Sequence, residues 1–356
     1  MRLAFCPIEL KMRGGTVKVL NYARAARDVL GIEPVVLFDP SASAPGMVAE
    51  FERATIPLHA VDREVDLRRQ TEGLKLDVAY RSMTGPPGDN WPACARRAMH
   101  TVFRFRHGPL PEDLRHAYIS DWLAHWADGG RSAAAPHVVA LPEPSPEGVR
   151  AMRERCGAPA DALLLGRLGG FEEFDLEFAQ AAVREALERR SDLWFAFVNT
   201  KPFVEHPRAA FLPPIAALQE KADFFSACDA SIHARRRGES FGNAIAESLA
   251  MDRAVLAWEG GLDRNHVWML EGAGTLYRTK RDLLDRLLNL TAAELKGEWS
   301  TRVAAFRPEA AIRRFESVFL APDAPPHPGP APALARWRSD LEQELLRLRF
   351  NLWRSL

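Results

Sequence analysis

Residues 228 to 258 read C-D-A-S-I-H-A-R-R-R-G-E-S-F-G-N-A-I-A-E-S-L-A-M-D-R-A-V-L-A-W, and no other stretch limits the fold so tightly. Residues 230 to 233 have the pattern of a short buried strand, and a basic turn then ends at Gly238. A helix is predicted from about 242 to 251, and an apolar run spans 254 to 258. Strand, loop, helix and strand in that order specify a βαβ unit with parallel strands, which places the chain among α/β architectures.

Glu239 and Glu247 bracket Ser240-Phe241-Gly242 inside this unit, giving the spacing E-x7-E. The first acid falls in the loop and the second on the second turn of the helix, while the backbone N–H groups of the first turn face the same space. Carboxylates accept from hydroxyls, and free amides at a helix N-terminus favour an anion. The combination suits a sugar carried on a diphosphate; the same spacing also fits an ordinary amphipathic helix with solvated acids.

The N-terminal region repeats the alternation. Residues 2 to 6 form a strand, Arg13-Gly14-Gly15-Thr16 a loop, and residues 17 to 30 a helix with Val19, Leu20, Ala23, Ala26 and Leu30 on one face. Gly31 stops that helix, and 34 to 38 is the next strand. Ligands of open parallel sheets bind at this first turn, where Gly14 and Gly15 either let backbone approach a phosphate or sugar or simply serve the turn. The spacing is not G-x-G-x-x-G, which argues against a nicotinamide dinucleotide. Further strands are predicted at 76 to 80, 101 to 105, 117 to 119 and 137 to 141. Turn-rich loops at 84 to 91 and 106 to 109 are where an acceptor pocket would be built. His100 and His107 are its titratable candidates, and each also reads as a packed or surface histidine.

Pro142, Pro144, Pro146 and Pro159 surround a helix at 147 to 156, the composition of a linker. Beyond it come a strand at 162 to 166, Arg167-Leu168-Gly169-Gly170, a helix at 176 to 190, a strand at 193 to 198 ending in Asn199-Thr200, and a helix near 216 to 221. The predicted organisation is therefore two Rossmann-like doubly wound domains, 1–145 and 146–308. A helix at 309 to 320 follows, then a Pro-rich linker at 321 to 333 and an Arg-rich amphipathic helix at 334 to 356. Trp337, Leu341, Leu345, Leu348, Leu352 and Trp353 lie on one side of that last helix. Packing on the body or on a second subunit is favoured over a peripheral anchor at a membrane face, because Asp340, Glu342 and Glu344 interrupt an interfacial helix.

Composition excludes several classes. With 47 Lys and Arg against 47 Asp and Glu, the 356-residue chain has no global field for nucleic acid or an anionic membrane. Cys6, Cys94, Cys156 and Cys228 are scattered without ligand spacing and read as buried thiols in a reducing compartment. No apolar run is long enough for a membrane span, so a cytoplasmic protein is expected. Neither D-x-D nor G-x-x-x-x-G-K-[ST] occurs, which removes the usual metal–diphosphate motif and the P-loop.

Taken together, G-R-L-G-G with F-D-L after it, F-V-N-T and H-A-R-R-R-G-E-S-F-G resemble the retaining nucleotide-sugar glycosyltransferases of family 4, which have the GT-B fold. The N-terminal R-G-G-T, H-T-V-F and Y-I-S-D-W-L segments extend the resemblance over roughly residues 1 to 320. It implies two Rossmann-like domains facing a cleft, with no cofactor or metal and a nucleotide diphosphate sugar as co-substrate. The acceptor would be a glycan, lipid-linked or small-molecule hydroxyl. Arg167 and the amides near Gly166, Gly169, Gly170 and Gly242 would grip the diphosphate, Glu239 the sugar and Glu247 the ribose. Asn199, Lys201, Ser240 and Phe241 complete the donor side, and Gly14, Gly15, His100 and His107 face the acceptor. The lysine that most members carry shortly after the Gly-Arg is absent here, where Phe171-Glu172-Glu173-Phe174 stands. Its charge would come from Lys201, Arg235 or Arg237. Three rivals remain, a sugar-nucleotide-binding module without turnover, a sugar-nucleotide epimerase, and a nucleic-acid-binding or nucleic-acid-modifying role that Arg235-Arg236-Arg237 and the terminal helix suggest but the neutral net charge opposes.

Overall fold

The computed structural model describes residues 1–11, 14–324, 327–329 and 331–355. Two compact units divide the chain, Met1–Ala140 with Ala305–Ser339 and Leu141–Ala304 with Asp340–Leu356.

In the first unit, strands β1 (Arg2–Ile8), β2 (Glu33–Phe38), β3 (Leu58–Ala60), β4 (Leu76–Met83), β5 (Cys94–Thr101) and β6 (Leu114–Tyr118) form a parallel sheet. Its order is β3-β2-β1-β4-β5-β6, so chain direction across the sheet reverses between β1 and β4. The helix Gly14–Leu30 follows β1, buries Val19, Leu20, Ala23 and Ala26, and ends at Gly31 with φ +64°. Gly14 and Gly15 therefore sit in the first helical turn rather than in a loop; Arg13 lies outside the described residues. The strand expected at 101 to 105 ends at Thr101 instead and runs back to Cys94, its first half disguised by the half-buried Arg96 and Arg97. Val138 and Val139 are buried as expected of an apolar run, but residues 137 to 141 pair with no strand among the described residues. The helix Pro308–Phe315 continues through a π turn, Glu316–Leu320, and packs Phe315 against Tyr22 and Tyr80 at centroid distances of 5.0 and 5.1 Å.

The second unit contains β7 (Leu163–Leu168), β8 (Leu193–Val198), β9 (Ala209–Leu212), β10 (Ala230–His233), β11 (Gly238–Glu239), β12 (Ala254–Trp258), β13 (Asp263–Arg264) and β14 (Leu276–Tyr277). Six of these form the parallel sheet β14-β12-β10-β7-β8-β9, while β11 and β13 pair as a small ribbon. Both faces of the large sheet are covered. Leu163, Leu165, Phe195 and Phe197 enter one apolar cluster, whereas Leu164, Ala196 and Val198 enter another. This period-2 division between two buried faces explains why the strands read as unbroken apolar runs. Here the reversal falls between β7 and β10, paired through Ser231 and Gly166.

The C-terminal helix, Ala333–Ser355, leaves Trp337, Leu341, Leu345 and Leu348 exposed, so of the two expected partners for this side, the body and a second subunit, the body does not cover it. The side chains of Leu352 and Trp353 lie outside the described residues. Among the described residues no helix is long and apolar enough to cross a membrane.

Candidate functional site

The reversal between β7 and β10 leaves a crevice at their carboxyl ends, the position where doubly wound sheets hold ligands. β7 delivers Arg167 to it. This side chain is buried, and its guanidinium donates to the Thr200 hydroxyl at 2.7 Å, the Asn199 carbonyl at 3.1 Å and the Gly170 carbonyl at 2.9 Å. All three acceptors are neutral. Burial draws the group down to about 10, opposed by the fields of Glu173 and Glu239, so it stays a cation at neutral pH. A planar cation fixed by neutral acceptors keeps its charge available for an incoming anion.

The glycines around Arg167 have separate causes. A Cβ on Gly166 would lie 2.5 Å from Cys228 Sγ and 3.0 Å from Phe224, so Gly166 serves packing beneath the sheet rather than the approach of a ligand. A Cβ on Gly169 would lie 2.6 Å from the Arg167 guanidinium, and one on Gly170 would lie 2.6 Å from the Glu173 carboxyl. Those two make room for charged head groups. Asn199, at φ +49°, donates its amide to the Gly169 carbonyl at 2.8 Å and braces the same loop. Lys201 is exposed, and its backbone N–H donates to Phe171.

From β10 the chain supplies His233 and then Arg235 and Glu239. Glu239 receives His233 Nε2 at 3.0 Å on one oxygen and Arg235 at 3.1 Å on the other. Burial pushes its carboxyl up, but the His233 hydrogen bond and the charges of His233 and Arg235 outweigh burial and hold it at about 2. Glu239 is thus ionised at neutral pH, an acceptor for hydroxyls and no source of protons. The His266 ring packs tilted against His233, 5.3 Å between centroids, and donates Nε2–H to the Trp258 carbonyl; burial draws it down to about 3, so it is neutral. Arg235 also reaches Glu173 at 2.6 Å, joining the loop after β7 to the loop after β10. Arg237 pairs with the buried Asp263 at 2.9 Å and ties down the β11–β13 ribbon. Both arginines carry acids of their own, Glu173 and Glu239 on Arg235 and Asp263 on Arg237.

Gly242 (φ +92°) turns the chain into the helix Asn243–Ala250 with no side-chain cap on its first amides. A Cβ there would lie 3.3 Å from that of Glu239, so the acid and the helix N-terminus adjoin. Ser240 and Phe241 are buried, and the Phe241 carbonyl accepts from Asn265 at 2.7 Å. Residues 238 to 242 also spell G-x-S-x-G, but Ser240 is not among the positive-φ residues and lacks the strained turn of a nucleophile elbow. Glu247 is placed differently from expectation. It is buried, with both oxygens on Lys221 Nζ at 3.1 and 3.2 Å. Lys221 was missed in the sequence, where its one signal is a cation in the run K-A-D-F-F, whose neighbours are buried.

In the first unit, Gly14 and Gly15 are exposed at a helix start, with nothing near a Cβ placed on Gly15. His100 lies inside β5, fully buried, its Nδ1 2.7 Å from the Tyr80 hydroxyl, so it is a core residue and not a loop residue facing an acceptor. His107 is also buried; its Nε2 meets Thr101 Oγ1 at 2.7 Å, and its ring packs 4.7 Å from that of His116. Among the described residues no group of three or more His, Cys, Asp or Glu side chains is arranged to hold a metal ion.

No protein-family model and no curated protein matches the chain. Solved structures do. HepE of Anabaena, crystallised with UDP and glucose, superposes with a TM-score of 0.64 at 14% identity, covering 88% of this chain and 98% of its own. A glycosyltransferase from Rickettsia africae gives 0.58 at 12% identity, covering 97% of this chain and 98% of its own. WaaG, a glycosyltransferase involved in lipopolysaccharide biosynthesis, gives 0.51 at 12% identity, covering 95% and 99%. At these identities the likeness establishes the fold: the chain has the α/β architecture of the GT-B glycosyltransferases.

Proposed function

We propose that this GT-B chain is a retaining, metal-independent glycosyltransferase that moves a hexose from a nucleotide diphosphate sugar to a hydroxyl of a glycan, lipid-linked or small-molecule acceptor. One observation carries the reading: a buried guanidinium with only neutral partners and an ionised, hydrogen-bonded carboxylate share the switch-point crevice of the second unit. The neighbouring folds agree with it, since HepE was crystallised with UDP-glucose.

Departure of a nucleoside diphosphate concentrates negative charge on phosphate oxygens. Arg167, already desolvated and oriented, stabilises that charge without reorganising. The first-turn amides beyond Gly242 add partial positive charge from the adjoining side. Glu239, held ionised, accepts from sugar hydroxyls and orients the ring, and its charge favours positive character at the anomeric carbon. It does not protonate the leaving group at neutral pH. In the mechanism implied by the resemblance, the acceptor attacks the face from which the diphosphate leaves, and a phosphate oxygen takes the acceptor's proton.

The test is turnover of a panel of uridine, guanosine and adenosine diphosphate sugars by the full chain and by Arg167→Ala and Glu239→Ala. Each substitution is expected to lower the rate at least tenfold; turnover that neither change lowers removes the site assignment. A module that binds donors without turnover is the second reading, favoured by Glu173 beside Arg235. Calorimetric donor binding with no transfer to any acceptor would establish it.

A further inference from the structure

We propose that the Glu173 carboxylate is an internal stand-in for phosphate, lying where the donor diphosphate binds and giving way to it. This rests on the donor reading above and adds a built-in competitor to the same site.

The surroundings of Glu173 are those of a bound anion. One carboxylate oxygen accepts from the Gly170 backbone N–H at 3.0 Å, and the other meets the Arg235 guanidinium at 2.6 Å. Arg167 donates to the carbonyl of the same Gly170, which sets a second guanidinium beside the pair. A backbone amide and guanidinium groups are the donors that phosphate oxygens select, and a carboxylate meets the same donor geometry. Gly170 makes the placement possible, because any Cβ there would lie within 2.7 Å of the carboxylate oxygen. Glu173 can also leave. Its side chain is 37% exposed, and rotation carries the carboxylate into water, whereas Arg167 is buried and stays.

Arg235 is the hinge of the exchange. It is shared between Glu173 and Glu239, so a phosphate that displaces Glu173 takes over one guanidinium edge while the other still orients Glu239. Glu173 is then a brake on donor affinity, and the donor competes with a tethered carboxylate.

Calorimetry of the full chain tests this with inorganic pyrophosphate and with uridine, guanosine and adenosine diphosphates. Glu173→Gln keeps shape and acceptor oxygen while removing the charge. Pyrophosphate and at least one nucleoside diphosphate are expected to bind it about tenfold tighter than the parent chain, while Glu172→Gln, one residue away, leaves affinity unchanged. Glu173→Ala gives the same direction if the glutamine retains the Gly170 contact. Affinity unchanged or weakened in both Glu173 variants overturns the proposal, because the acid would then position Arg235 for the ligand. If pyrophosphate binds tighter to the variant while no nucleotide binds or turns over, the anion stand-in holds and the donor reading falls. If a donor turns over and the variants gain no affinity, only the stand-in falls. If no anion binds any form, both fall.

Discussion

Replacing Glu247 by Gln separates a structural role for this acid from contact with a ligand. Its carboxylate and the Lys221 ammonium are 3% and 9% exposed and 3.1 Å apart, so the substitution strands a buried cation while leaving its hydrogen-bond acceptor in place. Breaking a buried pair from one side costs about 3–5 kcal/mol. With a urea dependence of about 2 kcal/mol/M, the midpoint of the second unit falls by roughly 1.5–2.5 M. A control sits one residue from Lys221. Glu220 pairs with Arg155 at 2.7 Å, but both are well exposed, so Glu220→Gln costs no more than about 1 kcal/mol. The assay is urea unfolding followed by fluorescence, alongside calorimetric donor binding under conditions where both variants are folded. Equal midpoints for the two variants, with donor affinity lost only in Glu247→Gln, would refute the structural reading and return Glu247 to the ribose.

Acid should weaken the first unit before the Glu239 site. His100, buried and held down to about 4, takes up no proton until well below the usual histidine value near 6.5. The unfolded chain binds that proton first, so stability falls as pH drops from 6.5 to 4, by about 3.4 kcal/mol from this residue. His107, also held at about 4 by burial, acts in the same direction. Glu239 works in a lower window: its stabilisation is complete above about 4.5 and lost as pH falls to about 2. A urea midpoint that stays flat between pH 7 and pH 5 would contradict the histidine account. Gly166→Ala should cost about 1–3 kcal/mol by overpacking against Cys228, and Cys228→Ala should recover most of it; a double variant no better than the single one by thermal melting would return Gly166 to ligand approach.

The doubly wound fold was legible because its central strands are covered on both faces. Residues 193–198 and 254–258 coincide with β8 and β12, since a strand buried on both sides has no polar beat to hide it, and 230–233 coincides with β10, where A-S-I-H alternates. β9 is also an apolar run, A-A-F-L, but at four residues between Pro207 and Pro213-Pro214 it has the composition of a loop and was missed. β5 was placed late because Arg96 and Arg97 occupy its first half, where Arg97 reaches Asp113. Within the site, Arg167 and Glu239 stood out through local motifs. The partners did not. Glu247 meets Lys221 across two helices, and Arg235 meets Glu173 across two loops, distances in sequence that no local pattern spans. His100 misled for the opposite reason: its polarity suggested a site, whereas its hydrogen bond to Tyr80 makes it affordable in a core.

Gly170 and Glu173 are in effect one inherited character. A methyl at 170 would fall within 3.0 Å of three atoms at the end of the Glu173 side chain, so a chain that gains alanine at 170 must evict the acid or shorten it. Among homologous chains the two positions should therefore change together, with glycine accompanying the acid and bulkier residues accompanying its loss. A single codon change at 170 would then release the brake as surely as one at 173, leaving lineages two separate routes to a tighter hold on the same substrate.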